Sequence, residues 1–183
     1  MHHTLRFYRR HQGRFLRFYM LGGRLTRLPL VGRLVHGLAS RYGYNMHTSY
    51  SVSLAQAHSV VDQSSQMLLG PCRCRQVFQR CQAPLLSELV IGIGAQVFPQ
   101  DRPGEYQPVT REQAHALLDE CHRRDLFHTL MQCQEEFYAL CNCCHCCCVP
   151  TRLRSEFGIR GTLVKMDDAT LQHTLAAVKT TSL

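Results

Sequence analysis

Nine of the eleven cysteines in this 183-residue chain crowd into two short stretches. The first is C-x-C-x6-C, made of Cys72, Cys74 and Cys81; the second is C-x-C-C-x-C-C-C, made of Cys141, Cys143, Cys144, Cys146, Cys147 and Cys148. Three chemistries use thiols in bulk: disulfides, zinc, and iron held with inorganic sulfide. Disulfide frameworks space and pair their cysteines in short secreted chains, and neighbouring cysteines do not readily meet the geometry of a bridge. An odd, clustered set argues for soft thiolate ligands on a metal in a reducing compartment. Structural zinc favours C-x2–4-C pairs, which occur here only as subsets of the run, whereas C-x-C and C-C dominate. In extended backbone, alternate residues point the same way at a rise of about 3.3 Å per residue, a spacing suited to neighbouring corners of an iron–sulfur cube.

One 4Fe–4S cluster takes four thiolates and two take eight, so the nine thiols allow one or two clusters, with Cys133 in reserve. If the second run were extended throughout, parity would put Cys141, Cys143 and Cys147 on one face and Cys144, Cys146 and Cys148 on the other. Cys72, Cys74 and Cys81 would then supply the missing ligands. The expected cofactor is therefore a 4Fe–4S cluster, with zinc as the alternative, and all nine cysteines are the expected ligands. Arg73, Arg75 and Arg80 would offset the negative charge of a thiolate-ligated cluster. His145 lies inside the run without belonging to the ligand set. Cys121 falls on a helical apolar stripe and reads as a core thiol. His58 has no cysteine within a turn and reads as a surface or packed residue.

The run "CRCR" with a later "PL", a capped helix ending in "RRDLFHTL", and "YALCNCCHCCCVPTRLR" resembles a family of bacterial and archaeal 4Fe–4S binding proteins. Their pattern is C-x-C-R, a P-L-E-T-C-like stretch, a helix closing in G-L-V-H, and C-N-C-C-x-C-C-C. The resemblance covers about residues 53–154 and implies iron–sulfur binding by the matching cysteines. Two departures stand out. Where the pattern has P-L-E-T-C, this chain has Pro84-Leu85-Leu86-Ser87-Glu88, so one cysteine of the pattern is missing. No cysteine follows Cys148, so the ferredoxin-type domain of longer members is not in this sequence, and the redox partner is expected to be another protein.

The elements that must position these thiols read as a small α+β, cysteine-rich domain over residues 51–183, with short strands and two main helices, preceded by a basic amphipathic helical arm over residues 1–50. Capping boxes at Ser53/Gln56 and Thr110/Gln113 start helices predicted over about 53–69 and 110–124. Apolar, β-branched "PLLSELVIGIGAQVF" predicts a buried strand near 88–94 followed by a loop through "PQDRPGEYQP". Strands are also predicted over 127–140, leading into the cysteine run, then an extended "GTLVKM" and a helix through "DDATLQHTLAAVK".

Charge is spread unevenly. Residues 1–61 hold nine arginines and no acid, while the rest holds 12 basic and 13 acidic residues, so the net +8 sits in the first third. There arginine alternates with Phe, Tyr and Leu, as in two short helices hinged at Gly22–Gly23. Such an arm suits a partner subunit, or an anionic membrane surface reached through residues 1–45 with Phe15, Leu16, Phe18 and Leu21 inserted. Arginine with aromatics also suits nucleic acid, but no reading motif accompanies them. No apolar run is long enough to span a bilayer and no secretory signal is evident. A cytoplasmic protein, peripheral on the inner membrane face, is expected.

For an enzyme, the chain lacks a Ser-His-Asp signature, a phosphate-binding glycine loop, H-E-x-x-H and the C-x3-C-x2-C radical motif. The reading that results is a 4Fe–4S electron-transfer or accessory subunit of a redox complex. The alternative is a zinc- or cluster-dependent redox-sensing, nucleic-acid-binding protein.

Overall fold

A computed structural model describes residues 2–134 and 136–180. Its centre is a seven-stranded sheet. The strands are β1 (His47–Val52), β2 (Met67–Pro71), β3 (Leu86–Ile91), β4 (Gln107–Pro108), β5 (Phe127–Cys133), β6 (Glu136–Cys143) and β7 (Val164–Lys165). Their order is β4-β2-β3-β6-β5-β1-β7, antiparallel throughout except that β7 lies parallel to β1. Eight α-helices are found among the described residues: α1 (His2–Leu25), α2 (Gly32–Met46), α3 (Leu54–Gln63), α4 (Arg73–Phe78), α5 (Gly92–Asp101), α6 (Arg111–Arg123), α7 (Val149–Phe157) and α8 (Asp168–Thr180). The fold is thus mixed α and β, with more regular structure than two main helices and a few short strands.

Both capping boxes form. Ser53 and Thr110 accept from the N3 backbone amides, and Gln56 and Gln113 reach back to the cap amides, each cap satisfying donors that a helix start leaves open. α3 ends at Gln63, however, and Met67–Pro71 is strand rather than the second half of a helix. Polar Ser64 and Ser65 break the stripe, and beyond them Met67 and Leu68 are needed by the sheet, where they pair with Ile91 and Val90. The expected strand stops short of 94, and its last residues together with the start of the expected loop through "PQDRPGEYQP" belong to helix α5. Gly92 starts it at φ +50°, and Gly94 lets the helix touch β6, where a Cβ would sit 2.1 Å from the Tyr138 carbonyl oxygen.

One sheet face packs against α3, α6 and α8 through Ala57, Val60, Val61, Leu89, Ile91, Leu118, Leu130 and Leu140. The other face carries Val90, Ala139 and Tyr138 beneath α5 and α1. Within the stretch expected as a separate arm, α1 packs on this second face and buries Leu5, Tyr8, Arg9, Gln12, Leu16 and Met20, a stripe at helical spacing. Leu16 therefore inserts into the protein beside Val149 and Leu153. The boundary placed at residue 50 falls inside β1. α1 runs unbroken through Gly22 and Gly23, and the chain breaks instead at 26–31. Gly23 stays close to Phe157, whose ring a Cβ would strike at 2.5 Å, so this glycine serves packing rather than a hinge.

Candidate metal centre

Strand β6 delivers Cys141 and Cys143 at its end; a turn over 145–147 follows, and Cys148 opens α7. Cys72 precedes α4, Cys74 lies within it, and Cys81 follows it. The two cysteine-rich stretches meet, and they sort their thiols into two groups.

The first group is Cys81, Cys144, Cys146 and Cys147, whose sulfurs all lie within 4.8 Å of one another. Cys81 Sγ stands 3.6 Å from that of Cys144 and 3.9 Å from that of Cys147, and Cys146 Sγ is 3.9 Å from Cys147. These are not bonds, since a disulfide needs about 2.05 Å, and all the cysteines are free. The Arg80 backbone amide donates to Cys147 Sγ at 3.3 Å. Burial alone would raise the Cys144 thiol; the Cys147 amide, Arg75 and the neighbouring thiols outweigh it and bring it down to about 7 from 9.0. Cys144 is thus the thiol of this group held closest to thiolate near neutrality, while burial and the neighbouring thiols push Cys146 up to about 12 and Cys147 upward.

The second group is Cys72, Cys74, Cys141, Cys143 and Cys148, which line one end of a cavity of about 530 Å³ between α1, α2 and the sheet. Cys143 contacts the thiols of both Cys141 and Cys148. These sulfurs are spread more widely than the first four and lie deeper. Burial pushes the Cys72 thiol up to about 12 and that of Cys74 well above its ordinary value. Cys141 also rises to about 12: Cys143 pulls it down, but burial, Glu88 and the other thiols prevail. Metal-free, this wall holds protons, and a metal entering it must release them.

Parity along the run therefore holds for Cys141 with Cys143 and for Cys144 with Cys146, and fails at Cys147 and Cys148. The 145–147 turn moves Cys147 to the group of Cys144 and Cys146, and Cys148 to the group of Cys141 and Cys143. The remaining positions fall outside both groups. Cys121 is fully buried beside Cys144 and Cys147 without being in the four-sulfur set. Cys133 packs with Val97, Phe98 and Tyr138. His145 is exposed, with its ring 4.7 Å from that of Phe127.

Three polar residues hold the stretches in place. Arg75 is buried, donating from Nη1 to the Pro84 carbonyl and, at 2.5 Å, to Ser87 Oγ, and from Nη2 to the Asn142 carbonyl. Asn142, fully buried between cysteines, donates from Nδ2 to the Ser87 carbonyl at 2.9 Å and accepts at Oδ1 from His128 Nδ1 at 2.7 Å. Glu88 stands where the P-L-E-T-C pattern carries its cysteine, and its Oε1 lies 3.9 Å from Cys141 Sγ. Burial holds the Glu88 carboxyl above its usual range, although Arg9 and Arg73 pull it down. Arg9 is fully buried, 3.6 Å from Glu88 and stacked on Phe98 at 4.3 Å. The sequence marks Arg75 only as a neighbour of cysteines; its role as a strut shows once 84–87 and 142 are brought to it.

Free thiols in such number, gathered from two distant stretches, fit a metal ion or a metal–sulfur cluster, the softest donors a protein offers. Compared with known proteins, the chain matches no family model, no curated sequence and no solved structure.

Proposed function

We propose that the protein is a 4Fe–4S binding electron-transfer or accessory subunit, with its inorganic centre held by residues 72–81 and 141–148. The observation that carries this reading is the convergence of all nine thiols into two groups that adjoin at two peptide bonds, Cys143–Cys144 and Cys147–Cys148. Centres so close exchange electrons readily, and irons fully ligated by thiolate leave no open position for a substrate. The wide group beside the cavity has the room for a cube, with Glu88 against Cys141 as a carboxylate neighbour. The sequence resemblance to iron–sulfur binding proteins supports the same reading. The arginine-rich outer face of α1 and α2 would dock the subunit on an anionic membrane surface or an acidic redox partner.

A second reading is favoured by one measurement. Sulfurs on a tetrahedral zinc stand about 3.8 Å apart, given a Zn–S bond of about 2.3 Å, and the first group shows 3.6 and 3.9 Å. Zinc at Cys81, Cys144, Cys146 and Cys147 would make that centre structural.

Iron, sulfide and zinc per chain, measured on anaerobically purified protein, test both readings. Brown protein with iron matching sulfide, lost on C141S/C148S substitution, is expected for the first. Zinc lost only in C81S/C144S identifies the second. Protein holding neither metal at its thiols overturns both.

A further inference from the structure

α3 and α6 lie side by side on the sheet face that α8 also covers, and α6 meets the first thiol group through Cys121. Each carries histidine and aspartate one turn apart: His58 and Asp62 on α3, His115 and Asp119 on α6. At i, i+4 spacing both side chains project from one helix face, and here the two faces meet. His58 Nε2 lies 2.9 Å from Asp119 Oδ1, and His115 Nε2 lies 2.9 Å from Asp62 Oδ1. The Nδ1 atoms of the two rings point at each other, 2.5 Å apart, with ring centroids separated by 4.7 Å.

The carboxylates determine the tautomer. An ionised carboxylate only accepts, so each Nε2 carries a hydrogen and each Nδ1 of a neutral ring presents a lone pair. Two lone pairs in contact repel unless a positive centre lies between them. A metal ion satisfies this, because it accepts from both nitrogens. Carboxylate, then Nε2–H, then a free Nδ1 is the arrangement by which proteins orient and strengthen metal-binding histidines. Here it occurs twice, mirrored across one gap.

We propose that His58 and His115, oriented by Asp119 and Asp62, form a binding site for a divalent transition ion of the zinc class between α3 and α6. Nitrogen with carboxylate support selects zinc, nickel or cobalt over calcium or magnesium. At about 2.0–2.1 Å from each nitrogen the ion requires the rings to part by somewhat less than about 1 Å. The side chains allow this, being 27 and 28 % exposed for His58 and His115. Binding uses the lone pairs of both Nδ1 atoms, and water completes the coordination. Because the donors come from both helices, the ion clamps α3 to α6.

The test is metal uptake by the anaerobic full-length chain carrying its native metals, with Zn2+ and then Co2+ as the probe ions. The wild type is expected to take one ion more than H58Q/H115Q. On Co2+ that ion should lack the sulfur-to-metal charge-transfer absorption that cysteine sites give. D62N/D119N should keep the stoichiometry and weaken the affinity about 10–100-fold, the loss typical of orienting partners. Equal uptake by wild type and H58Q/H115Q overturns the proposal, as does a thiolate signature on the additional ion. Failure here leaves the iron and sulfide content of the thiol groups unaffected, so the two readings stand or fall separately.

Discussion

At the scale of single residues, the thiol groups depend on side chains that are not themselves ligands. Arg75 ties Pro84, Ser87 and Asn142 together from a buried position, and its five donors sit in a fixed fork that lysine cannot reproduce. R75A should lower the free energy of unfolding by about 3–5 kcal/mol, as expected for buried, charge-assisted bonds. R75K should recover little of it. Urea unfolding of both variants, with metal content read alongside, checks this. His47 offers a test of pH. Burial lowers it from 6.5 to about 4, and its Nδ1 has no partner within the protein. A histidine depressed in the fold contributes stability above its unfolded value that is lost as the pH falls. Stability should therefore decline between pH 6.5 and about 4, by at most about 3 kcal/mol from this group. H47N should flatten the decline, measured as unfolding midpoints across that window.

At the scale of elements, the close approaches are as informative as the core. Gly94 brings α5 onto the Tyr138 carbonyl, so G94A should push the helix off β6 and cost about 2 kcal/mol or more; thermal unfolding would show it. The helices that begin with their own caps were legible in the sequence: Ser53/Gln56 and Thr110/Gln113 announce α3 and α6 with local chemistry alone. β2 and α5 were not, because their states are decided by partners far along the chain. Met67 and Leu68 suit either a helix or a strand until β3 is beside them, and "GIGAQVF" reads as the tail of an apolar strand until β6 leaves a groove that only glycine fits. The thiol sets show the same division. That nine cysteines act together follows from their spacing, whereas the exchange of Cys147 for Cys148 between groups is made by a turn that spacing does not encode.

At the scale of the whole molecule, α1, α2 and the turn between them carry exposed Phe18 (65 %), Leu34 (66 %), Leu38 (62 %) and, in the turn, Leu30 (94 %) among exposed arginines, with Phe18 and Leu38 also lining the cavity. No helix among the described residues is long and apolar enough to cross a membrane, but this face has the composition of one that lies on a bilayer surface. Co-sedimentation with anionic vesicles should be reduced roughly tenfold or more in F18S/L34S/L38S, since each exchange removes apolar area available for burial. Equal pelleting of the two proteins would assign the face to a protein partner instead.

The cover over the deep thiol wall has a consequence for how the chain comes into being. α1 lines the same cavity as Cys72, Cys74 and Cys141, yet it leaves the ribosome before them, and the thiol wall is complete only after Cys148 has followed. Until then its apolar stripe has nothing to lie on, and β1 must wait for β5. A metal ion or cluster entering these thiols would thus have a natural interval, opening when Cys148 emerges and closing when α1 settles.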